Sequence, residues 1–143
     1  MNNKQFIVSF LNILANNICL SLGHCILRFC IVHKLIDDFI AMNQAGLVLE
    51  LCEKYYAEDV IMLNNGKVFA KSMRESYDKQ KGFVSSIKEF TVELVSKTIN
   101  GNVAELTFNY KMMNSDSTLN EFTGKHIQTW KNDKIIKEEY VSV

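Results

Sequence analysis

The chain has 143 residues, 48% of them hydrophobic and 22% charged, which is the mixture of one packed globular domain and excludes a disordered, collagenous or polytopic membrane protein. Sixteen basic side chains balance sixteen acidic ones, so no overall charge draws the protein to nucleic acid. The charge is unevenly placed: no acidic residue precedes Asp37, and Lys4, Arg28 and Lys34 leave the first 34 residues at +3 and the remainder at −3.

Residues 6–32 are strongly apolar with Arg28 as the one charge, a pattern that raises a secretory signal or a membrane anchor. Asn12, Asn16, Asn17, His24 and Arg28 interrupt the run, no small-x-small cleavage site follows it, and His24 spoils a lipoprotein box at Cys25. The other readings are an extra buried helix or a translated extension ahead of the true start. Residues 1–30 are therefore taken as an N-terminal extension and 31–143 as the domain. A cytoplasmic location is expected, with export or membrane anchoring only if residues 6–32 serve as signal or anchor. Cys19, Cys25 and Cys30 lie here beside His24 and His33; the four-residue gap from Cys25 to Cys30 reaches the edge of knuckle spacing, but no second cysteine pair of that spacing accompanies it, and no metal is expected. Cys52, further on, reads as a packed thiol.

From Val32, the residues Val32, Leu35, Ile36, Phe39 and Ile40 recur at helical spacing, predicting an amphipathic helix that ends between Asn43 and Gly46. Leu47, Val48, Leu51, Cys52 and Tyr55 repeat the pattern in a shorter helix. A strand is predicted at Val60 to Leu63, a turn at Asn64-Asn65-Gly66, and a short return strand at Val68 and Phe69. A third helix spans Lys71 to Lys81 and is closed by Gly82. From Phe90 the period becomes two: Phe90, Val92 and Leu94, then Ala104, Leu106, Phe108, Tyr110 and Met112, form apolar faces of long antiparallel strands. Two more strands run from Glu121 to Trp130 and from Lys134 to Val143 about a turn at Asn132-Asp133. Proline is absent, so no strand lacks an amide donor. Helices followed by an antiparallel sheet make an α+β fold.

The two-residue turn pairs Trp130 with Ile135, and counting outward sets Gln128 opposite Lys137, His126 opposite Glu139 and Gly124 opposite Val141. A carboxylate about 5 Å from an imidazole favours its charged form and orients one ring nitrogen, the usual construction of a general acid or base near neutral pH. His126 and Glu139 are accordingly the candidate catalytic pair; the plainer alternative is a satisfied cross-strand pair with no chemistry. The basic run Lys125, Lys131, Lys134 and Lys137 is interleaved with acids and reads as a solvated sheet edge. No phosphate-binding loop, dinucleotide fingerprint, nucleophile elbow or zinc-protease helix is present.

The segments Tyr56-Ala57-Glu58-Asp59-Val60, Ala70-Lys71-Ser72-Met73 and Trp130-Lys131-Asn132-Asp133-Lys134-Ile135, in this order and spacing, resemble the nuclear-transport-factor-2-like superfamily over about residues 32–143. Within it the likeness is to SnoaL-like polyketide cyclases and ketosteroid-isomerase-like proteins. The resemblance implies a cystatin-like, cone-shaped barrel: a strongly curved antiparallel sheet wrapped around about three helices and a deep apolar cavity, in a homodimer formed through the sheet. It also implies that His126 stands at or near the acid that hydrogen-bonds a developing enolate. Leu63 or Asn64 falls where the isomerases carry the base, and Phe39 or Ile40 where they carry the key Tyr, which argues against steroid isomerisation. SnoaL-type cyclases rely on a cavity Asp/His pairing, for which His126 and Glu139 would serve.

Two functions follow. One is a cofactor-independent isomerase or cyclase acting by acid-base chemistry on a small apolar carbonyl compound, with Asn64, Gln128, Trp130, Tyr110 and Phe39 as ligand contacts. The other is a ligand-binding or dimerisation module without catalysis.

Overall fold

A computed structural model describes Gly23, residues 26–28 and residues 30–143. The readings on Cys19, His24 and Cys25 lie outside the described residues. Helix α1 runs through residues 30–44, α2 is Val48–Tyr55 and α3 is Met73–Ser85. Among the described residues no helix is long and apolar enough to cross a membrane.

In α1 the buried positions Ile36, Phe39, Ile40 and Asn43 fall on one stripe, and in α2 Leu51, Cys52 and Tyr55 do the same. The two stripes meet through rings: Phe39, Tyr55 and Trp130 pack edge to face with centroids 5.5 to 6.4 Å apart, tying both helices to the sheet. Helix α3 begins at Ser72, whose hydroxyl accepts from the Glu75 amide at 3.1 Å while the Glu75 carboxylate accepts from the Lys71 amide at 2.8 Å. It runs through Gly82 to Ser85, so Gly82 does not close it as expected; one glycine costs a helix less than the turns on either side return.

The strands are β1 (Tyr56–Asn64), β2 (Lys67–Ala70), β3 (Ile87–Asn100), β4 (Val103–Asn114), β5 (Leu119–Lys131) and β6 (Lys134–Ser142). They form one sheet in the order β2-β1-β6-β5-β4-β3, whose two ends do not meet. Every neighbouring pair is antiparallel except β1 and β6, which are parallel and join the start of the sheet to its last strand. The expected alternation holds in β4, where Ala104, Leu106, Phe108, Tyr110 and Met112 are buried. Asn65 and Gly66 in the first hairpin, and Asn132 and Asp133 in the last, take the positive φ that a tight hairpin turn requires.

The last hairpin departs from simple counting. Trp130 pairs with Ile135 as expected, but Thr129 pairs with Lys137, leaving Ile136 as an extra residue in β6. This bulge moves every later pairing by one. Gln128 faces Glu138, not Lys137; His126 faces Tyr140, not Glu139; and Gly124 faces Ser142, not Val141.

Candidate functional site

The register shift decides which carboxylate reaches the histidine. Strand alternation puts Glu138 and Tyr140 on the face of β6 shared with His126, and Glu139, opposite Ile127, on the other. The expected His126–Glu139 pair is therefore not formed. Glu138, 2% exposed, takes that place: its Oε1 lies 3.2 Å from His126 Nδ1 and accepts from the Tyr56 hydroxyl at 2.9 Å, and its Oε2 accepts from Gln128 Nε2 at 2.6 Å. The His126 contact is bent away from the N–H axis, which makes it an ion-pair approach rather than an aligned hydrogen bond. Gln128 in turn accepts from Trp130 Nε1 at 3.2 Å. A buried carboxylate needs such partners, since an unpaired one would carry the full cost of lost hydration.

Burial pushes the Glu138 carboxyl up, but the neighbouring His126 and the hydrogen bonds of Gln128 and Tyr56 together outweigh it and hold the group below the ordinary carboxylate value. Glu138 is thus a fixed anion behind the imidazole. Burial, followed by the Glu138 charge, raises the Tyr56 hydroxyl well above its ordinary value, so Tyr56 is a permanent donor.

On its other side, His126 Nε2 lies 2.6 Å from the Tyr110 hydroxyl, and Asn43 Nδ2 donates to that hydroxyl at 3.4 Å. Burial raises Tyr110 as well; the Asn43 hydrogen bond opposes this and the Glu138 charge adds to it. Phe108 and Tyr140 meet the imidazole edge to face at 5.7 and 5.4 Å and fix its plane. Tyr140 lies over Gly124, where a Cβ would come within 2.2 Å of the ring, so only glycine leaves room for it.

These groups border a cavity of about 320 Å³, at the small end of ligand pockets. Phe39, Leu51, Met62, Phe69, Phe90 and Phe122 supply apolar wall; Asn43, Tyr56, Tyr110, His126 and Glu138 supply the polar corner. Exposed Asn64, Lys79 and Phe83 mark its open side. Lys79 is held by Glu75 at 2.8 Å and by the Phe69 carbonyl. Of the residues singled out in the sequence, His126, Asn64, Tyr110 and Phe39 line the cavity together. Gln128 and Trp130 stand behind it as supports of Glu138. Glu138, Tyr56 and Asn43 were missed. Two adjacent isoleucines followed by two adjacent glutamates break the alternation of β6, and that break is the one trace of the bulge in the sequence.

Cys30 and Cys52 are free thiols, and burial pushes Cys52, on the cavity wall, up to about 12.

No protein-family model matches the chain, and no curated protein matches it either. Solved structures do. A SnoaL-like, polyketide-cyclase-like protein of Mesorhizobium loti is 19% identical, with a TM-score of 0.64, over 76% of this chain and 97% of its own. A protein of ketosteroid-isomerase-like fold from Catenulispora acidiphila, solved with trimethylamine, is 10% identical with a TM-score of 0.63, over 75% of this chain and 83% of its own. An LEH-like epoxide hydrolase of M. tuberculosis is 10% identical with a TM-score of 0.65, over 78% of this chain and 82% of its own. The chain has the nuclear-transport-factor-2-like α+β fold, in the form found in SnoaL-like and ketosteroid-isomerase-like proteins.

Proposed function

We propose that the protein is a cofactor-independent enzyme that moves a proton on a small, mostly apolar carbonyl compound held in the cavity. The observation that carries this reading is His126 on the cavity wall, with a buried, ionised Glu138 at one ring nitrogen and a hydroxyl at the other. Glu138 stands beside Nδ1 of the ring, and its own oxygens are already taken up by the Tyr56 hydroxyl and the Gln128 amide. Its neighbours in fold include proteins described as a cyclase-like protein and an epoxide hydrolase, which supports small-molecule chemistry in such a cone without selecting a reaction.

The test is a thermal-shift screen of wild type and His126→Asn with small cyclic ketones and enones. Asparagine keeps an N–H for Glu138 and removes the titrating ring. Ligand at a hundredfold excess over its Kd stabilises a protein by about 2.7 kcal/mol. Hits that raise the melting temperature of wild type and are turned over by it, but not by the variant, are expected. Hits that bind both equally, with no turnover, would retire the enzyme in favour of passive binding.

A further inference from the structure

In the neutral state one ring nitrogen of His126 carries the proton, and the Glu138 carboxylate 3.2 Å from Nδ1 favours the tautomer that carries it there. Nε2 is then an acceptor, and the group 2.6 Å from it is the Tyr110 hydroxyl. Tyr110 therefore caps the Nε2 edge of an imidazole that itself lines the cavity. No ligand atom can reach Nε2 along its lone pair without displacing that hydroxyl. The Tyr110 oxygen also receives one N–H of Asn43, whose other amide hydrogen is left for a ligand oxygen, and Asn43 and Tyr110 both line the cavity. Hydroxyl, imidazole and carboxylate thus form a chain of contacts along the cavity wall, with the hydroxyl at one end and the carboxylate at the other.

We infer that Tyr110 is the catalytic residue that meets the substrate, relaying a proton between an enolisable ketone and His126, with Asn43 donating to the ketone oxygen. This rests on the proton-transfer reading of the cavity given above and names its substrate class. In the forward step the C–H bond next to the carbonyl breaks and its proton passes to Tyr110 Oη, while the hydroxyl proton of Tyr110 passes to His126 Nε2. The C–H electron pair becomes the enolate, whose oxygen takes the free Asn43 N–H, and the imidazolium is balanced by Glu138. Return of the proton to the same carbon completes an exchange, and where a carbon–carbon double bond is conjugated with the enolate, its return to the far end of that system completes an isomerisation, with no oxidant, reductant or second substrate. Tyr110 never has to persist as a phenolate, in keeping with its apolar surroundings: its ring is stacked on Phe122 at 5.1 Å.

The test follows deuterium exchange next to the carbonyl of 2-tetralone in D2O by NMR, with wild type, Tyr110→Phe and His126→Asn, and measures the ketone's Kd for each. Wild type is expected to accelerate exchange. Tyr110→Phe should lose 100-fold or more of that acceleration, the scale of one general acid-base group, with Kd changed less than threefold. If Tyr110→Phe exchanges as fast as wild type while His126→Asn does not, the relay is overturned and direct action by His126 stands. If wild type is no faster than buffer, the ketone reading of the cavity is itself overturned. A measurement on wild type alone guards against a variant that fails to fold: the ring ¹⁵N shifts of neutral His126 should show Nδ1 protonated and Nε2 bare, and the opposite tautomer overturns the relay.

Discussion

Glu138 shows how a single residue can be hidden from sequence and decisive in structure. Lys137, Glu138 and Glu139 are adjacent and chemically similar to their neighbours on any surface strand, and only the extra residue Ile136 selects which acid turns inward. His126 was legible, because its alternation with Gly124 and Gln128 along β5 needs no partner strand to be read. Its partner was not, because register across a hairpin is sensitive to one residue. Tyr56 was less legible still: it reaches Glu138 through the parallel β1–β6 pairing, a contact between residues 82 positions apart. Replacing the acid tests the arrangement. Glu138→Gln leaves Tyr56, Gln128 and His126 presenting donors to a group that no longer accepts at both ends, and should cost about 3 kcal/mol in chemical denaturation. The pH dependence follows from the sign of the shift. Because the folded carboxyl sits below its ordinary value of 4.5, its contribution is fully present above that value and is lost as pH falls through the folded one. Wild type should therefore lose stability below about pH 4.5 more steeply than Glu138→Gln, in denaturation curves taken across pH 3 to 6.

Elements were easier to read than residues. The 3.6-residue stripes of α1 and α2 and the two-residue alternation of β4 are properties of single segments, and they survive in the structure with boundaries moved by a few positions. The exception is instructive. Gly82 reads as a stop in the sequence because glycine so often ends a helix, yet α3 continues for three more residues, carrying Phe83 to the cavity's open side. The backbone there is ordinary, and a Cβ would meet nothing within 4 Å. Gly82→Ala should then stabilise the protein by about 0.5–1 kcal/mol through helix propensity alone, read as a rise in the midpoint of urea unfolding with an unchanged slope.

At the scale of the whole molecule, element order indicated an α+β fold and the family resemblance implied a cone of sheet around helices, while neither named the parallel pairing of the first and last strands, since a strand's own pattern does not name its neighbour. The result is a protein with a cavity of about 320 Å³, open on one side and walled largely by apolar side chains. Side chains that border a cavity forgo dispersion contacts that a packed core would make, and a larger side chain on its wall is an available route to stability. Val48, half-buried on the cavity wall, offers a place to do so. Val48→Phe should raise stability by about 1 kcal/mol and abolish ketone-induced shifts in melting temperature, so that the two readouts move in opposite senses.

Trp130 is the one tryptophan of the chain, and two hydrogen bonds, through Gln128, separate its indole from Glu138. The protein thereby carries a built-in optical gauge of its polar corner. Any event that changes the charge of the Glu138–His126 pair changes the electric field along the indole N–H, so the emission maximum of unlabelled protein should move on cavity occupation, and should no longer do so in Glu138→Gln.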